Sequence, residues 1–378
     1  MSRENRISVF AFPTRIVFGA GAIRELGGEA KRLGIKRPLL VTDRGIVQCG
    51  IANRIIEEGK RSGLSMTLYD GVNPNPVEQN VQNGLETYRR GNCDGVIGLG
   101  GGSPIDAAKA VRLVVTHPFP LEQYDDQLDG AARIRPGIRP MIAIPTTAGT
   151  GSEVGRSTVI ILKSTDRKTV IFSPHLIPSV ALADPELTLD LPPHITAGTG
   201  MDAFTHNVEA YLAKGYHPMC DAIAIAGAKL VWDNLPRVMD HPHDVEARSH
   251  MMMAAIMGAV AFQKGLGAVH SLAHPLSTEC GMHHGTTNAI LLPVVLEYNR
   301  SAVPERIAHL SALFGGDAAE RVRELNRRVS IKPRLRDWGV AEAILPALAD
   351  KAVQDGCHQL NPRPCTREDL LELYRQAY

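Results

Sequence analysis

The chain has 378 residues, 44% hydrophobic and 21% charged, with a formal net charge of +1. That length supports two or three domains with ample core, and the near-neutral charge gives neither a nucleic-acid backbone nor an anionic membrane a reason to bind. The six cysteines (Cys49, Cys93, Cys220, Cys280, Cys357 and Cys365) are scattered without a CxxC pair. This spacing argues against a disulfide framework or a thiolate zinc site and for reduced thiols in a cytoplasm.

The opening MSRENRISVFAF is too polar to be a signal peptide. From there strand and helix signals alternate. Ile35 to Thr42 is a short apolar run ending at Asp43, and Gly50 to Ser62 reads as an amphipathic helix. Leu64 to Tyr69 is a second strand, followed by a helix over Val77 to Arg90. The strand Asp94 to Leu99 enters a glycine-rich turn, and a helix runs from there to about Val115. Met141 to Ile144 enters PTTAGTGSE, with further strands at Val159 to Leu162 and Val180 to Leu182. Strands separated by helix-length segments predict βαβ units and a parallel sheet covered on both faces, a Rossmann-like layer.

Composition changes at the proline-rich turn over Pro185 to Pro193, after which helical periodicity is almost continuous. The expected organisation is an α/β dinucleotide-binding domain over 1–187 and an all-helical domain over 188–378. A cleft between two such domains is the default place for a small-molecule site. The longest apolar run, Met251 to Phe262, is too short to span a bilayer and reads as a buried helix.

Gly98-Leu-Gly100-Gly101-Gly102-Ser103-Pro104-Ile105-Asp106 joins a strand to a helix. Glycines there let the backbone approach a pyrophosphate, whose charge suits exposed N–H groups and the helix dipole. Ser103 fits the N-cap, Pro104 the first helical position and Asp106 the capping box, so a well-capped turn explains the same residues. Asp43 ends an early strand, where an acid can accept the adenosine ribose hydroxyls and repel a 2′-phosphate, favouring NAD over NADP. The usual fingerprint puts that acid after the glycine turn, so a solvated loop acid fits equally. Thr146, Thr147 and Thr150 either contact a nucleotide or make a hydroxyl-rich turn.

In GMDAFTHNVEAYLA, Thr199 can act as N-cap of a helix on which Asp202 and His206 stand at i and i+4, one turn apart on one face. Such a pair can share a divalent metal ion, although taken alone it reads more readily as a helix-surface contact, and the case for a metal comes from the rest of the chain. GAVHSLAHP puts His270 and His274 at i and i+4 on a helix stopped by Pro275, and His284 stands just before a glycine turn. Ligation by nitrogen and oxygen without thiolate suits Fe²⁺ or Zn²⁺ in a catalytic role.

GGGSPIDAAK, PTTAGTGSEV, GMDAFTHNVEAY and GLGAVHSLAHPL…HHG, in this order and spacing, closely resemble the iron-containing (group III metal-dependent) alcohol dehydrogenase family. The resemblance runs from VFGAGA near Gly19 to the C-terminus. It implies a dehydroquinate synthase-like architecture, an α/β domain followed by an all-α domain, and a homodimer. Carried over by position, it puts metal ligands on Asp202, His206, His270 and His284, with His283 the neighbouring alternative. It puts nucleotide contacts on Asp43, Asn75, Gly100, Gly101, Gly102, Ser103, Thr146, Thr147, Thr150 and Lys168, the last preferred over Lys163. His274 matches a histidine near the reacting centre and is the candidate proton relay. The implied chemistry is reversible hydride transfer between a small alcohol and NAD, with Fe²⁺ or Zn²⁺ as Lewis acid.

The substrate is less constrained. Gly155 and Arg156 follow GSEV where the family commonly shows Thr, and Phe262-Gln263-Lys264 lines the substrate side in relatives. If Arg156 and Lys264 point inward they could hold an anionic tail, as in succinic semialdehyde; otherwise they are surface charges. A maleylacetate-reductase-like enzyme, a glycerol-dehydrogenase-like polyol oxidation and a non-catalytic nucleotide-binding protein are the competing readings.

Overall fold

The computed structural model describes Phe12 and residues 15–164 and 167–378; most of the N-terminal stretch weighed as a signal peptide lies outside them. Among the described residues eight strands are present: β1 (Arg15–Phe18), β2 (Pro38–Val41), β3 (Thr67–Tyr69), β4 (Gly95–Gly100), β5 (Met141–Pro145), β6 (Ser157–Leu162), β7 (Arg167–Phe172) and β8 (Val180–Ala183). Helices α1 (Leu26–Arg32), α2 (Arg44–Gln48), α3 (Ile51–Arg61), α4 (Glu78–Arg90) and α5 (Gly102–Thr116) connect the first of these. Then follow α6 (Pro193–Leu212), α7 (Pro218–Asp240), α8 (Val245–Ala261), α9 (Ala268–Glu279), α10 (His284–Asn299), α11 (Pro304–Phe314), α12 (Ala318–Arg328), α13 (Leu345–Ala352) and α14 (Arg367–Ala377).

Contacts divide the chain into two units, Pro13–Thr147 with Gly151–Leu189, and Asp190–Tyr378 with Ala148–Thr150. In the first, six strands form a sheet in the order β1-β8-β5-β4-β2-β3, every pair parallel. Its central strands are buried along their whole length, PLLV in β2 and GVIGLG in β4, because helices cover both faces. The chain leaves β2 for β3 on one side, then returns past β2 to place β4 on the other. The order therefore switches between β2 and β4, the point where open α/β sheets bind ligands.

The edge strand β1 escaped the sequence reading, and β6 does not join the parallel sheet. It pairs antiparallel with β7, Ser157 opposite Phe172 and Leu162 opposite Arg167. The connection is too short for the crossover of a dozen or more residues that a parallel neighbour needs.

Within the second unit every regular element among the described residues is helical. Helix α6 begins at Pro193, not after Thr199: proline suits the first turn, where its missing N–H costs nothing. Thr199 lies inside the helix, and its hydroxyl donates back to the Ile195 carbonyl at 2.8 Å. Nor does Pro275 stop α9. A helix-interior proline costs about 3 kcal/mol, and here burial of Leu276 and Ser277 beyond it offsets that loss. No single described helix is long and apolar enough to cross a membrane.

Candidate metal centre and nucleotide loops

Helix α6 is buried over most of its length, and Asp202, His206 and Glu209 follow at i, i+4 and i+7 on one face. Asp202 Oδ1 stands 3.7 Å from His206 Nε2, 3.9 Å from His270 Nε2 and 3.6 Å from His284 Nε2. Ligand atoms held about 2.1 Å from one ion in a tetrahedron are roughly 3.4 Å apart; Asp202, His206 and His270 form a group compact enough for one ion, and His284 joins it through its approach to Asp202. His206 and His270 stack at 4.8 Å between centroids, and the His284 ring lies 5.3 Å from that of His270.

The protonation chemistry fits as well. Burial pushes the His206 imidazole down to about 4, despite the opposing pull of Asp202, so the ring is a neutral ligand at pH 7. Burial also works against charge on His270, but the Glu209 carboxylate overrides it and raises that group. Glu209 Oε2 accepts from His270 Nδ1 at 2.5 Å and Oε1 from the Val269 N–H at 2.7 Å. The proton is thereby fixed on Nδ1 and Nε2 is turned toward Asp202, the second-sphere arrangement typical of histidine ligands. Asn288 Nδ2 donates to Asp202 Oδ1 at 2.8 Å. One carboxylate and three imidazoles form a donor set that fits Fe²⁺ or Zn²⁺.

His284 is the first residue of α10, so Gly285 is helical and marks no turn. A Cβ on Gly285 would lie 1.9 Å from the Gly198 carbonyl oxygen, so glycine is what lets α10 approach α6 and bring His284 to Asp202. His283, the neighbouring alternative, packs instead with its ring against Gly198.

His274 stands one turn beyond His270, stacked on His284 at 5.3 Å and 15°. Its Nδ1 contacts Asp355 Oδ2 at 2.7 Å. His274, Asp355 and Cys357 form a second group compact enough for an ion. However, burial raises the Cys357 thiol well above its usual range. Asp355 is also already engaged by Ser271 Oγ at 2.7 Å and the Cys357 N–H at 2.9 Å, so the group reads as an internally satisfied network.

In the α/β unit, Asp43, Asn75, the Gly100 to Ser103 turn, Thr146 and Thr147 follow the carboxyl ends of β2, β3, β4 and β5, on one edge of the sheet. Gly100 has φ +139° and would carry a Cβ 2.7 Å from Pro104 Cγ, so only glycine serves there. Gly101, not Ser103, is the N-cap of α5, and the helix begins at Gly102. The Ser103 hydroxyl is drawn off to the Pro74 carbonyl, tying the loop that carries Asn75 to the glycine turn. Asp43 caps α2 through Oδ1, which accepts from the Ile46 N–H at 3.0 Å. Thr146 Oγ1 is buried and makes no hydrogen bond. Thr150 and Lys168 are not on that sheet edge: Thr150 groups with the helical unit, and Lys168 stands on β7 opposite Ile161.

Asp106 is not a capping residue. Its Oδ1 accepts from Ser152 Oγ at 2.5 Å and its Oδ2 from the Val159 N–H at 3.0 Å. Lys109 Nζ donates to Ser152 Oγ and to the Ser157 carbonyl, both at 2.8 Å. Lys264 likewise gives no charge to a substrate: its side chain is 1% exposed, and Nζ meets Asp221 Oδ1 at 2.5 Å and the Tyr211 carbonyl at 3.0 Å. The Arg156 guanidinium lies over the Phe172 ring at 5.3 Å.

Glu209, Asn288 and Asp355 were missed in the sequence. Glu209 continues the Asp202–His206 face at i+7 and Asn288 lies one turn after His284, so helical spacing carried both signals. Asp355 is 81 positions from His274 and has no local signal.

Comparison with known proteins agrees over both units. Residues 13–185 match the iron-containing alcohol dehydrogenase family and residues 196–378 the C-terminal part of the Fe-containing alcohol dehydrogenase family. The chain is 41% identical over 377 residues to the 4-hydroxybutyrate dehydrogenase of Cupriavidus necator, covering 96% of this chain and 98% of that one. A 1,3-propanediol oxidoreductase structure superposes with TM-score 0.95 at 37% identity, covering 99% and 100% of the two chains. The sulfoacetaldehyde reductase of Bifidobacterium kashiwanohense in complex with NAD⁺ gives TM-score 0.89 at 30% identity, covering 99% of each chain. With both units matched and a carboxylate ringed by three imidazole nitrogens, the chain belongs to the iron-containing alcohol dehydrogenase family.

Proposed function

We propose that this oxidoreductase interconverts a small primary alcohol and its aldehyde by hydride transfer with NAD(H), at a site where Asp202, His206, His270 and His284 hold one divalent metal. The observation that carries the reading is Asp202 Oδ1 within 3.9 Å of three histidine Nε2 atoms. The metal supplies Lewis-acid polarisation of the substrate oxygen, and NAD supplies the hydride acceptor.

The rest falls to the chain's own groups. N–H groups at the start of α5 and the Gly100 to Gly102 turn bind the pyrophosphate. Asp43, just after the strand beside that turn, accepts ribose hydroxyls and excludes a 2′-phosphate. Asn75, Ser103, Thr146, Thr147, Thr150 and Lys168 complete the nucleotide contacts, and Thr146 Oγ1 has its hydrogen-bonding capacity to spare. His274 Nε2 passes the hydroxyl proton toward solvent, as its 26% exposure allows. The substrate class is a diol or a hydroxy acid such as 4-hydroxybutyrate, which the relatives' names support.

The reading includes a cytoplasmic homodimer: scattered cysteines without a disulfide framework suit a reducing compartment, and the dimer is carried over from the family resemblance, with sizing chromatography as its test. The function is tested by NADH absorbance with protein loaded with Fe²⁺ or Zn²⁺, over propanal, lactaldehyde and succinic semialdehyde. His270→Ala should lose metal and turnover while binding NAD normally. Full activity in that variant would sink the site.

A further inference from the structure

Two histidines one turn apart on α9 are treated alike by the fold. His270 Nδ1 meets Glu209 at 2.5 Å and His274 Nδ1 meets Asp355 at 2.7 Å. In both dyads a carboxylate accepts at Nδ1 and leaves Nε2 for other use. His270 spends its Nε2 on the Asp202 centre. His274 stands in the wall of the same site, 5.3 Å from the His284 ring and 6.0 Å from that of His270.

We propose that Asp355 is a positioning residue for His274: it fixes the Nδ1–H tautomer and the ring plane, so that Nε2 faces the alcohol or aldehyde oxygen. The inference rests on the function proposed above and assigns the part that one remote carboxylate plays in it.

The surroundings of Asp355 suit that part. Its Oδ1 accepts from Ser271 Oγ at 2.7 Å and from the Cys357 N–H at 2.9 Å, which anchors the carboxylate from two sides. Ser271 Oγ in turn accepts from the His358 N–H at 2.8 Å. The carboxylate therefore cannot swing, and His274 Nδ1 is held at Oδ2. A partly exposed imidazole without such a partner would exchange tautomers and rotate, and Nε2 would carry the proton part of the time. With Nδ1 protonated and held, Nε2 offers a lone pair that can take the hydroxyl proton of an alcohol; the protonated ring returns it to the oxygen in the reverse direction.

Asp355→Asn is the decisive variant, because Asn keeps an oxygen for Ser271 and Cys357 but turns an N–H₂ toward His274 Nδ1. That inverts the tautomer without emptying the network. In metal-free wild type, ¹⁵N correlation spectra of the His274 ring should report Nδ1–H, and Asp355→Asn should report Nε2–H. In loaded enzyme kcat should fall about 10- to 100-fold, with metal content and the KM for NAD unchanged and partial recovery in Asp355→Glu. In a His274→Ala background Asp355→Asn should have no further effect, since the two act as one unit.

Wild-type kcat in Asp355→Asn, an unchanged tautomer, or losses that multiply in the double variant would each overturn the inference. Wild type that turns over no alcohol or aldehyde with NAD would overturn the proposed function instead, and the ring spectra would still decide the tautomer.

Discussion

Two buried carboxylates in this chain meet opposite fates. In the α/β unit Asp106 faces Ser152, the Val159 N–H and, at 4.0 Å, Lys109, so the cation it needs is built into the fold. In the helical unit Asp202 faces Asn288 and the Nε2 atoms of three histidines, at least one of which burial keeps neutral at pH 7. The first cluster is complete without a ligand. The second gathers donor atoms around an acid in the way a divalent cation requires. A buried acid on which imidazole nitrogens converge thus offers a donor set for a metal, whereas one met by a lysine is already a structural pair.

The comparison breaks most severely at Asp202. Asp202→Ala should abolish metal retention and turnover while leaving NAD affinity and far-UV circular dichroism near wild type; retained metal by elemental analysis would refute the ligand set. The opposite experiment is Lys109→Met. Removing one partner of a buried pair typically costs about 3–5 kcal/mol, so denaturation should show a loss of that size with metal content unaltered. A stability like that of wild type would mean Asp106 is held well enough by hydroxyl and amide alone.

Glu153 sharpens the same cluster. Burial raises its carboxyl to about 7, with Lys109 opposing. The folded state therefore holds a proton that the unfolded chain releases near 4.5, and the stabilisation is present below that pH and lost as pH rises through about 7. On the order of 3 kcal/mol should disappear across this window, and Glu153→Gln should flatten the slope of stability against pH. A smaller effect is expected at Gly285→Ala, where the Cβ meets the Gly198 carbonyl. Forcing α10 away should cost about 1–3 kcal/mol and weaken metal retention without abolishing it. Smallest of all is Lys264→Met: the ratio of kcat/KM for succinic semialdehyde over propanal should stay as in wild type, because that ammonium is spent on Asp221.

Much of this was legible in sequence. Alternating strand and helix signals gave the parallel sheet, since strands covered on both faces read as apolar runs such as PLLV. The i, i+4 spacing put Asp202 and His206 on one face. Helix ends were harder to read. Thr199, Ser103 and Asp106 all look like capping residues, yet Thr199 lies inside α6 and bonds back to Ile195, while tertiary partners claim the other two, the Pro74 carbonyl for Ser103 and Ser152 for Asp106. Pro275 looked like a stop because local rules ignore the burial that lets α9 continue. Asp43 before the glycine turn looked out of order, but β2 and β4 are neighbours in the sheet, so chain order does not matter there. Lys264 and Arg156 show the limit of composition: a charge in a promising segment says nothing about which way its head points.

The contact between Gly198 and Gly285 bears on how fast the centre could exchange its ion. Asp202 and His284 lie on helices that approach closely at Gly198 and Gly285, so the spacing of their Cα atoms is set by backbone packing and not by side-chain reach. In the proposed site, any local parting of α6 from α10 would separate these two donors together, so metal retention should track amide exchange in those helices.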